Sequence, residues 1–324
     1  MPPVFTSNPY RKDSILHVKV TRTTAYAPAG VAVGWVSVKV EEAFPVTMSP
    51  AMRVQILDSS GHETGKYAVL KVFDRRFGPQ FRKRNNTPVP HTLQDENKFV
   101  QFVTSGRSIS LLRRIEEARN TEDYFYTAQD FYDEASKEDR GSVFELALHE
   151  EEYRWFRTET RAYDKLLALQ GIHVPRMYAH AQISINSSSV NNAEFQAPAI
   201  LIEYIPAISC DRLKSTSTTG VSVQFLIGVG QNAIDAAFEI SKCGVIMGDG
   251  GTHNALCRLP DNQIFYIDFA TAYFIDSYPD NETYWNTAWS KNINAVASVL
   301  DTVAKRNFKQ HIKGYFRYPT LASA

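Results

Sequence analysis

The chain has 324 residues, of which 44% are hydrophobic and 22% are charged, proportions typical of a globular protein with a full hydrophobic core. Basic residues (Lys and Arg) and acidic residues (Asp and Glu) each number 35, so the net charge gives no reason to expect nucleic acid or an anionic membrane as a partner.

Three cysteines (Cys210, Cys243 and Cys257) are too few and too scattered for a disulfide framework or a four-ligand zinc site. The polar start of the chain has no apolar segment of the signal-peptide kind, and no apolar run approaches the length of a membrane-spanning helix. We therefore expect a reduced intracellular protein, most simply a cytoplasmic one.

The first part of the chain alternates apolar and polar residues, a pattern that predicts half-buried β-strands. The predicted strands are Ile15–Val20, Val31–Val40, Ala51–Leu57 and Tyr67–Phe73. The loop Phe44–Pro50 contains no glycine, but Thr47 and Ser49 offer hydroxyl and N–H groups.

Lys71 lies between apolar residues on the strand Tyr67–Phe73. An unpaired ammonium inside a protein is costly, so a buried Lys71 requires a carboxylate or phosphate partner. The alternative is a lysine on an edge strand whose charge reaches water.

A charged insertion follows, with a basic segment Asp74–Arg84 and two helical stretches, Lys98–Ala118 and Asp123–Glu138. We expect a solvated helical surface here. Alternatively, the basic cluster contacts a phosphorylated or acidic substrate; its members are Arg75, Arg76, Arg82, Lys83 and Arg84.

The remaining pattern predicts three long helices and two strands. The helices are Val143–Gln170, Val223–Cys243 and Trp285–Arg306, and the strands are Val174–Tyr178 and Ala199–Ile205. Gly171 is a reasonable stop for the first helix.

The stretch Val245–Ala270 contains the candidate catalytic and metal-binding residues. Asp249 is followed five residues later by Asn254, and a predicted hairpin then delivers Asp268 at the end of its second strand. Two carboxylates and an amide at the ends of one hairpin suit phosphoryl transfer, in which oxygen ligands hold magnesium and a carboxylate orients the attacking hydroxyl.

The order Asp249, Asn254, strand, turn, strand, Asp268-Phe269 resembles the catalytic and metal-binding loops of the protein-kinase-like superfamily. The Gly248-Asp249 pair is closer to aminoglycoside and choline phosphotransferases than to protein kinases. The resemblance covers most of the chain and is strongest to uncharacterised fungal kinase-like proteins. The resemblance implies an α+β, two-lobed protein-kinase-like fold, with an antiparallel small lobe over residues 1–205 and a short, mainly helical large lobe over 206–324. Within the small lobe, the helical insertion occupies about 75–150 and a helix about 151–170.

The resemblance also implies ATP and Mg²⁺ as cofactors and a role for each candidate residue. Asp249 would act as the base, Asn254 and Asp268 as metal ligands, and Lys71 as the phosphate-binding lysine held by Glu159, with Glu152 as a competing candidate. Nucleotide contacts would come from Thr47, Ser49, Glu203, Tyr204 and Ile205.

Three departures from the family pattern bear on activity. Met247 stands where a histidine is usual, Ala270 where a glycine is usual, and the glycine-rich loop is missing. None of them removes a charged group, so we expect an ATP-dependent phosphotransferase acting on a hydroxyl.

Gly251 occupies a position that is lysine in protein kinases, and the chain after Asp268 is short, both of which favour a small-molecule acceptor over a protein. His253 would help to shape the acceptor site or stabilise its loop. The alternative function is an inactive scaffold that binds nucleotide or a protein partner.

Overall fold

A computed structural model describes residues 8–46, 48–80, 82–119, 127–185, 193–214, 221–259 and 261–320. The chain divides into two compact units. Unit 1 comprises residues 1–156 and 178–203, and unit 2 comprises residues 157–177 and 204–324. No helix among the described residues is both long enough and apolar enough to cross a membrane.

Unit 1 is built on a closed six-stranded antiparallel barrel. Its strands, in barrel order, are β1 (Ile15–Thr23), β2 (Gly34–Ala43), β3 (Ala51–Leu57), β4 (Glu63–Val72), β8 (Gln196–Glu203) and β7 (Met177–Ser184). Alternate residues of these strands fill the interior, as the period-2 pattern predicts. Small side chains on β7 and β8 (Ala179, Ala181, Ala197 and Ala199) share this core with larger aliphatic side chains from the other strands, and small residues of this kind suit a narrow barrel interior.

Strand β1 closes the barrel because it pairs along its first part with β2 and along its last part with β7. The pairing of β1 with β7 changes register between Val20 and Arg22. An irregularity of this kind bends the strand and increases its twist. The predicted two-lobed protein-kinase-like fold is therefore wrong: the first unit is a closed barrel, and the architecture is mixed α and β. Alternation shows which face of a strand is buried, but it does not show whether the two edges of a sheet meet.

The insertion of unit 1 is mainly helical. It contains the short strands β5 (Lys83–Arg84) and β6 (Thr87–Pro88) and the helices α1 (Leu93–Thr104), α2 (Ser108–Arg119) and α3 (Ala128–Glu134). Helix α4 (Arg140–Lys165) follows and continues into unit 2. The single predicted helix Lys98–Ala118 is thus two helices, with the glycine Gly106 at a positive φ between them.

The basic segment at the start of this insertion does not form a solvated surface. Arg75, Arg76 and Arg82 are at most 7% exposed. The guanidinium of Arg75 contacts Glu96 (2.7 Å) and Glu145 (2.6 Å), and Arg82 pairs with the same Glu145 at 2.7 Å. The carboxylates come from α1 and α4, far along the chain, so the sequence pattern alone did not reveal them.

The described part of unit 2 combines helices with two small sheets. Its helices are α5 (Val223–Lys242), α6 (Asn281–Ala288) and α7 (Ala295–Phe308), and its strands are β9 (Ile208–Ser209), β10 (Val245–Ile246), β11 (Ala255–Arg258), β12 (Gln263–Tyr266) and β13 (Tyr273–Phe274). Strand β11 pairs with β12 and β9, and β10 pairs with β13. A π-helical turn, Trp289–Ile293, interrupts what the sequence predicted as one helix from Trp285 to Arg306.

Candidate functional site

The candidate site of unit 2 lies at the open end of the β11–β12 hairpin. Ala255 pairs with Tyr266, and the N–H of the next residue, Ile267, donates to the carbonyl of Asn254 at 3.0 Å. Asn254 and Asp268 therefore flank the same end of the hairpin. Asp268 adopts a left-handed backbone with φ of 64°, a conformation that aspartate tolerates better than most residues and that is enriched at functional sites.

Two contacts bring Asp249 to this end of the hairpin. The side-chain amide of Asn254 donates to the Asp249 carbonyl at 2.9 Å. Gly248 lies against the backbone of Thr271, so closely that a Cβ on Gly248 would be 2.0 Å from the Thr271 carbonyl oxygen. The loop that carries Asp249 and the segment that follows Asp268 are thus packed together, and glycine at 248 permits that approach.

The loop between Asp249 and Asn254 is fixed to a neighbouring segment, Ile208–Lys214. The N–H of Asp211 donates to the Thr252 carbonyl at 3.0 Å, and the Thr252 hydroxyl donates to the Asp211 carboxylate at 3.2 Å. The Ser209 hydroxyl also donates to the Thr252 carbonyl, at 3.1 Å. These bonds hold the loop backbone in place.

Asn292, which sequence reasoning did not single out, supports the start of the same loop. Its side chain is fully buried in the π-helical turn; the oxygen accepts from the Met247 N–H at 2.8 Å, and the amide donates to Ser241 Oγ (2.9 Å) and the Val245 carbonyl (3.1 Å). Turns of this kind frequently occur at functional sites. A polar residue next to Ile293 within an apolar helical pattern was the available signal.

In unit 1, Lys71 lies on β4 and is 8% exposed. Glu152 on α4 is 2% exposed and accepts a hydrogen bond from the Ser49 hydroxyl at 3.0 Å. Burial raises the pKa of Glu152 well above its ordinary value, against the smaller opposing effects of Ser49 and of the nearby Lys71 charge. Burial therefore disfavours the charged form of Glu152, which is the form that would pair with an ammonium.

The other predicted nucleotide contacts are distributed over both units. Thr47 lies outside the described residues. Glu203 ends β8 in unit 1, whereas Tyr204 and Ile205 begin the second segment of unit 2. Glu159, on the part of α4 that belongs to unit 2, is 1% exposed. The proposed pairing of Lys71 with Glu159 joins residues of different units and stays a prediction.

The predicted metal ligands at the hairpin are of the chemical type that magnesium prefers. Asn254 carries an amide oxygen and Asp268 carboxylate oxygens. Because the Asn254 nitrogen is bonded to the Asp249 carbonyl, its oxygen is the atom left for a cation.

A second cluster, in unit 1, does not fit a metal ion. His91, Asp95 and Glu145 place possible ligand atoms within 4.8 Å of one another. Glu145 is already paired with Arg75 and Arg82, however, and two buried guanidinium groups beside it oppose a cation.

Comparison with known proteins gives little further information. No protein-family model matches the chain, and no curated protein matches its sequence. Among solved structures, the chain is similar to one titled "WaaP in complex with acyl carrier protein", with a TM-score of 0.32 and 13% sequence identity over 49% of this chain and 68% of that one. A TM-score of this size supports no statement about function.

Proposed function

We propose that this protein is an ATP- and Mg²⁺-dependent phosphotransferase that acts on a hydroxyl group of a small molecule. The observation that carries the proposal is the convergence of Asp249, Asn254 and Asp268 at one end of the β11–β12 hairpin, through the Asn254–Asp249 bond and the close approach of Gly248 to Thr271. Two carboxylates and an oriented amide form the oxygen-rich site that phosphoryl transfer requires.

Asn254 and Asp268 would hold Mg²⁺, which when bound neutralises charge on the transferred phosphoryl group. Asp249 orients the acceptor hydroxyl and takes its proton. The hydroxyl oxygen forms a bond to the γ-phosphorus of ATP, the bond from that phosphorus to the bridging oxygen breaks, and ADP leaves with that electron pair. The exposed position of Asp249, whose side chain is 54% accessible, leaves it open to an acceptor.

Lys71 would bind ATP phosphates. Its burial supports this role, because a buried ammonium requires an anionic partner. Ser49 and Glu203, which belong to the same unit as Lys71, would add nucleotide contacts. The loop that contains Ser49 has no glycine, and the hydrogen bond from Ser49 to Glu152 attaches this loop to α4.

Calorimetry with ATP, with Mg²⁺ and with EDTA, tests binding. We expect magnesium-dependent binding in the wild type and its loss in Asp268→Ala, with Asn286→Ala as a surface control. ADP release across a panel of small hydroxyl compounds then tests transfer, and Asp249→Asn should bind Mg-ATP normally but turn over about 100-fold more slowly. Absence of magnesium-dependent binding in the wild type would refute the proposal. Binding without turnover on any acceptor would instead favour a nucleotide-binding scaffold.

A further inference from the structure

His253 lies four residues after Asp249 and turns back towards it. Its Nε2 is 2.8 Å from Asp249 Oδ2. A carboxylate oxygen only accepts, so Nε2 carries the proton and donates to Asp249. The two side chains are 55% and 54% exposed, so the pair is open to solvent and to a substrate.

The backbone at both ends of this pair is fixed independently of the imidazole. The carbonyl of His253 accepts from Ser209 Oγ at 3.4 Å, next to the Thr252 carbonyl, which accepts from both Ser209 and Asp211. The Asp249 carbonyl accepts from Asn254. Loss of the imidazole would therefore change the orientation of the Asp249 carboxylate without unfolding the loop.

Gly251 explains how the imidazole reaches Asp249. A Cβ at Gly251 would lie 2.8 Å from His253 Cε1, 3.0 Å from its Nδ1 and 3.4 Å from Asp249 Oδ1. Gly251 does not have a positive φ, so its backbone conformation does not require glycine. Glycine is required at this position because the imidazole of His253 occupies the space that a side chain at 251 would fill.

We propose that His253 is a positioning residue for Asp249: its Nε2–H holds Oδ2, so that Oδ1, on the side of Gly251, receives the proton of the attacking hydroxyl. Gly251 is part of this arrangement because any side chain there displaces the imidazole. The proposal rests on the proposed function, since Asp249 is the base only if the protein transfers phosphoryl groups. The attacking oxygen bonds to the γ-phosphorus, ADP departs with the electrons of the broken bond, and the proton passes to Asp249.

Hydrolysis of Mg-ATP, with water as the attacking hydroxyl, is the kinetic probe. His253→Ala should lower kcat by about 10- to 100-fold with an unchanged KM for ATP, because orientation and not binding is lost. His253→Gln, whose amide places an N–H near the same point, should recover most of that loss. Gly251→Ala should reproduce the His253→Ala defect and add nothing to it in the double variant, whereas Gly314→Ala, where a Cβ meets no atom within 4 Å, should have no effect.

The pair itself is tested without nucleotide. The imidazole ¹⁵N and ¹H signals of His253, assigned by their loss in His253→Gln, should show the proton on Nε2 and should change in both Asp249→Ala and Gly251→Ala. Ring signals that ignore Asp249→Ala would overturn the pairing. An unchanged kcat in His253→Ala, or additive effects of the two substitutions, would overturn the positioning role. A wild type that does not bind Mg-ATP would refute the proposed function and the catalytic use of the pair together, while the ring signals still decide whether the pair exists.

Discussion

The side-chain amide of Asn254 donates to the backbone carbonyl of Asp249 at 2.9 Å. This bond joins Asn254, the residue just before β11, to Asp249 at the start of the preceding loop. It also orients the amide, because a nitrogen that is bonded to a carbonyl leaves the side-chain oxygen for a cation. A single buried side chain, 7% exposed, thus serves both the structure of the loop and its candidate metal site.

If the proposed metal site is correct, Asn254→Ala should weaken magnesium-dependent ATP binding by about 10- to 100-fold, because it removes the proposed ligand oxygen and the bond that positions Asp249. Isothermal titration calorimetry measures the change. Asn286→Ala, an exposed substitution on α6 in the same unit, is the matched control. Wild-type affinity in Asn254→Ala would contradict the metal assignment.

Gly248→Ala should lower the free energy of unfolding by about 1–3 kcal/mol, because the new Cβ would lie 2.0 Å from the Thr271 carbonyl and neither backbone can move without disturbing the site. Gly228→Ala is the contrasting substitution. Gly228 lies in the interior of α5 with its nearest neighbour 3.9 Å from an added Cβ, so the change should stabilise by up to about 1 kcal/mol. Urea unfolding measures both, and equal effects would contradict the close approach at Gly248.

Asn292→Ala should cost about 3 kcal/mol of unfolding free energy, because it leaves the Met247 N–H and the Ser241 hydroxyl without their buried partner. Asn286→Ala should change stability by less than about 0.5 kcal/mol. Urea unfolding of the two variants provides the comparison. A similar small loss in both would show that the buried network does not support the loop.

The buried His149 should make stability fall in mild acid. Burial, with the nearby Arg75 charge, lowers the pKa of His149 to about 3, while Asp74 opposes the shift. As pH falls below the ordinary histidine value of 6.5, the unfolded chain binds a proton that the folded chain does not bind until about pH 3. This contribution to stability is therefore lost on acidification, with a slope that approaches about 1.4 kcal/mol per pH unit.

Comparison of the wild type with His149→Gln between pH 6.5 and 5 isolates this effect, because Glu152 and the buried carboxyls with lowered pKa values contribute equally to both proteins. His149→Gln should lack the part of the slope in which stability falls on acidification. The same slope in the variant and the wild type would show that His149 is not its source.

The buried Glu152 should make stability fall as pH rises, which is opposite to the effect of His149. Since burial raises its pKa, the unfolded chain loses the proton from about pH 4.5 upwards while the folded chain keeps it. Its contribution is present below that pH and is lost as pH rises towards the raised value. Glu152→Gln, which resembles the neutral acid, should therefore become more stable relative to wild type as pH increases in unfolding experiments, and the exposed substitution Asn286→Ala should retain the wild-type pH dependence. A constant difference between Glu152→Gln and wild type would contradict a raised pKa for Glu152.

Local structure followed from local patterns. Alternation gave the strand Ala51–Leu57 with its observed bounds, and helical spacing gave α5 to within one residue of its end. The turn residues between Arg258 and Gln263 placed the hairpin that carries the candidate site. These features depend on neighbours in the chain, so the order of residues is enough to specify them.

By itself, the sequence determined most of the strands, the helix α5, the order of the candidate residues and the hairpin that places Asn254 and Asp268 at one end. Only the tertiary structure decided that β1 meets β7 to close the barrel, that Arg75 and Arg82 are buried against Glu145, and that Gly251 lies beneath the imidazole of His253. The physical reason is that these features involve residues far apart in the chain or the orientation of a side chain. Which strand edges meet and which charges pair depends on how distant segments pack together, and the contact at Gly251 depends on how the imidazole ring is turned. The periodicity of a single segment specifies neither the packing of distant segments nor the orientation of a ring.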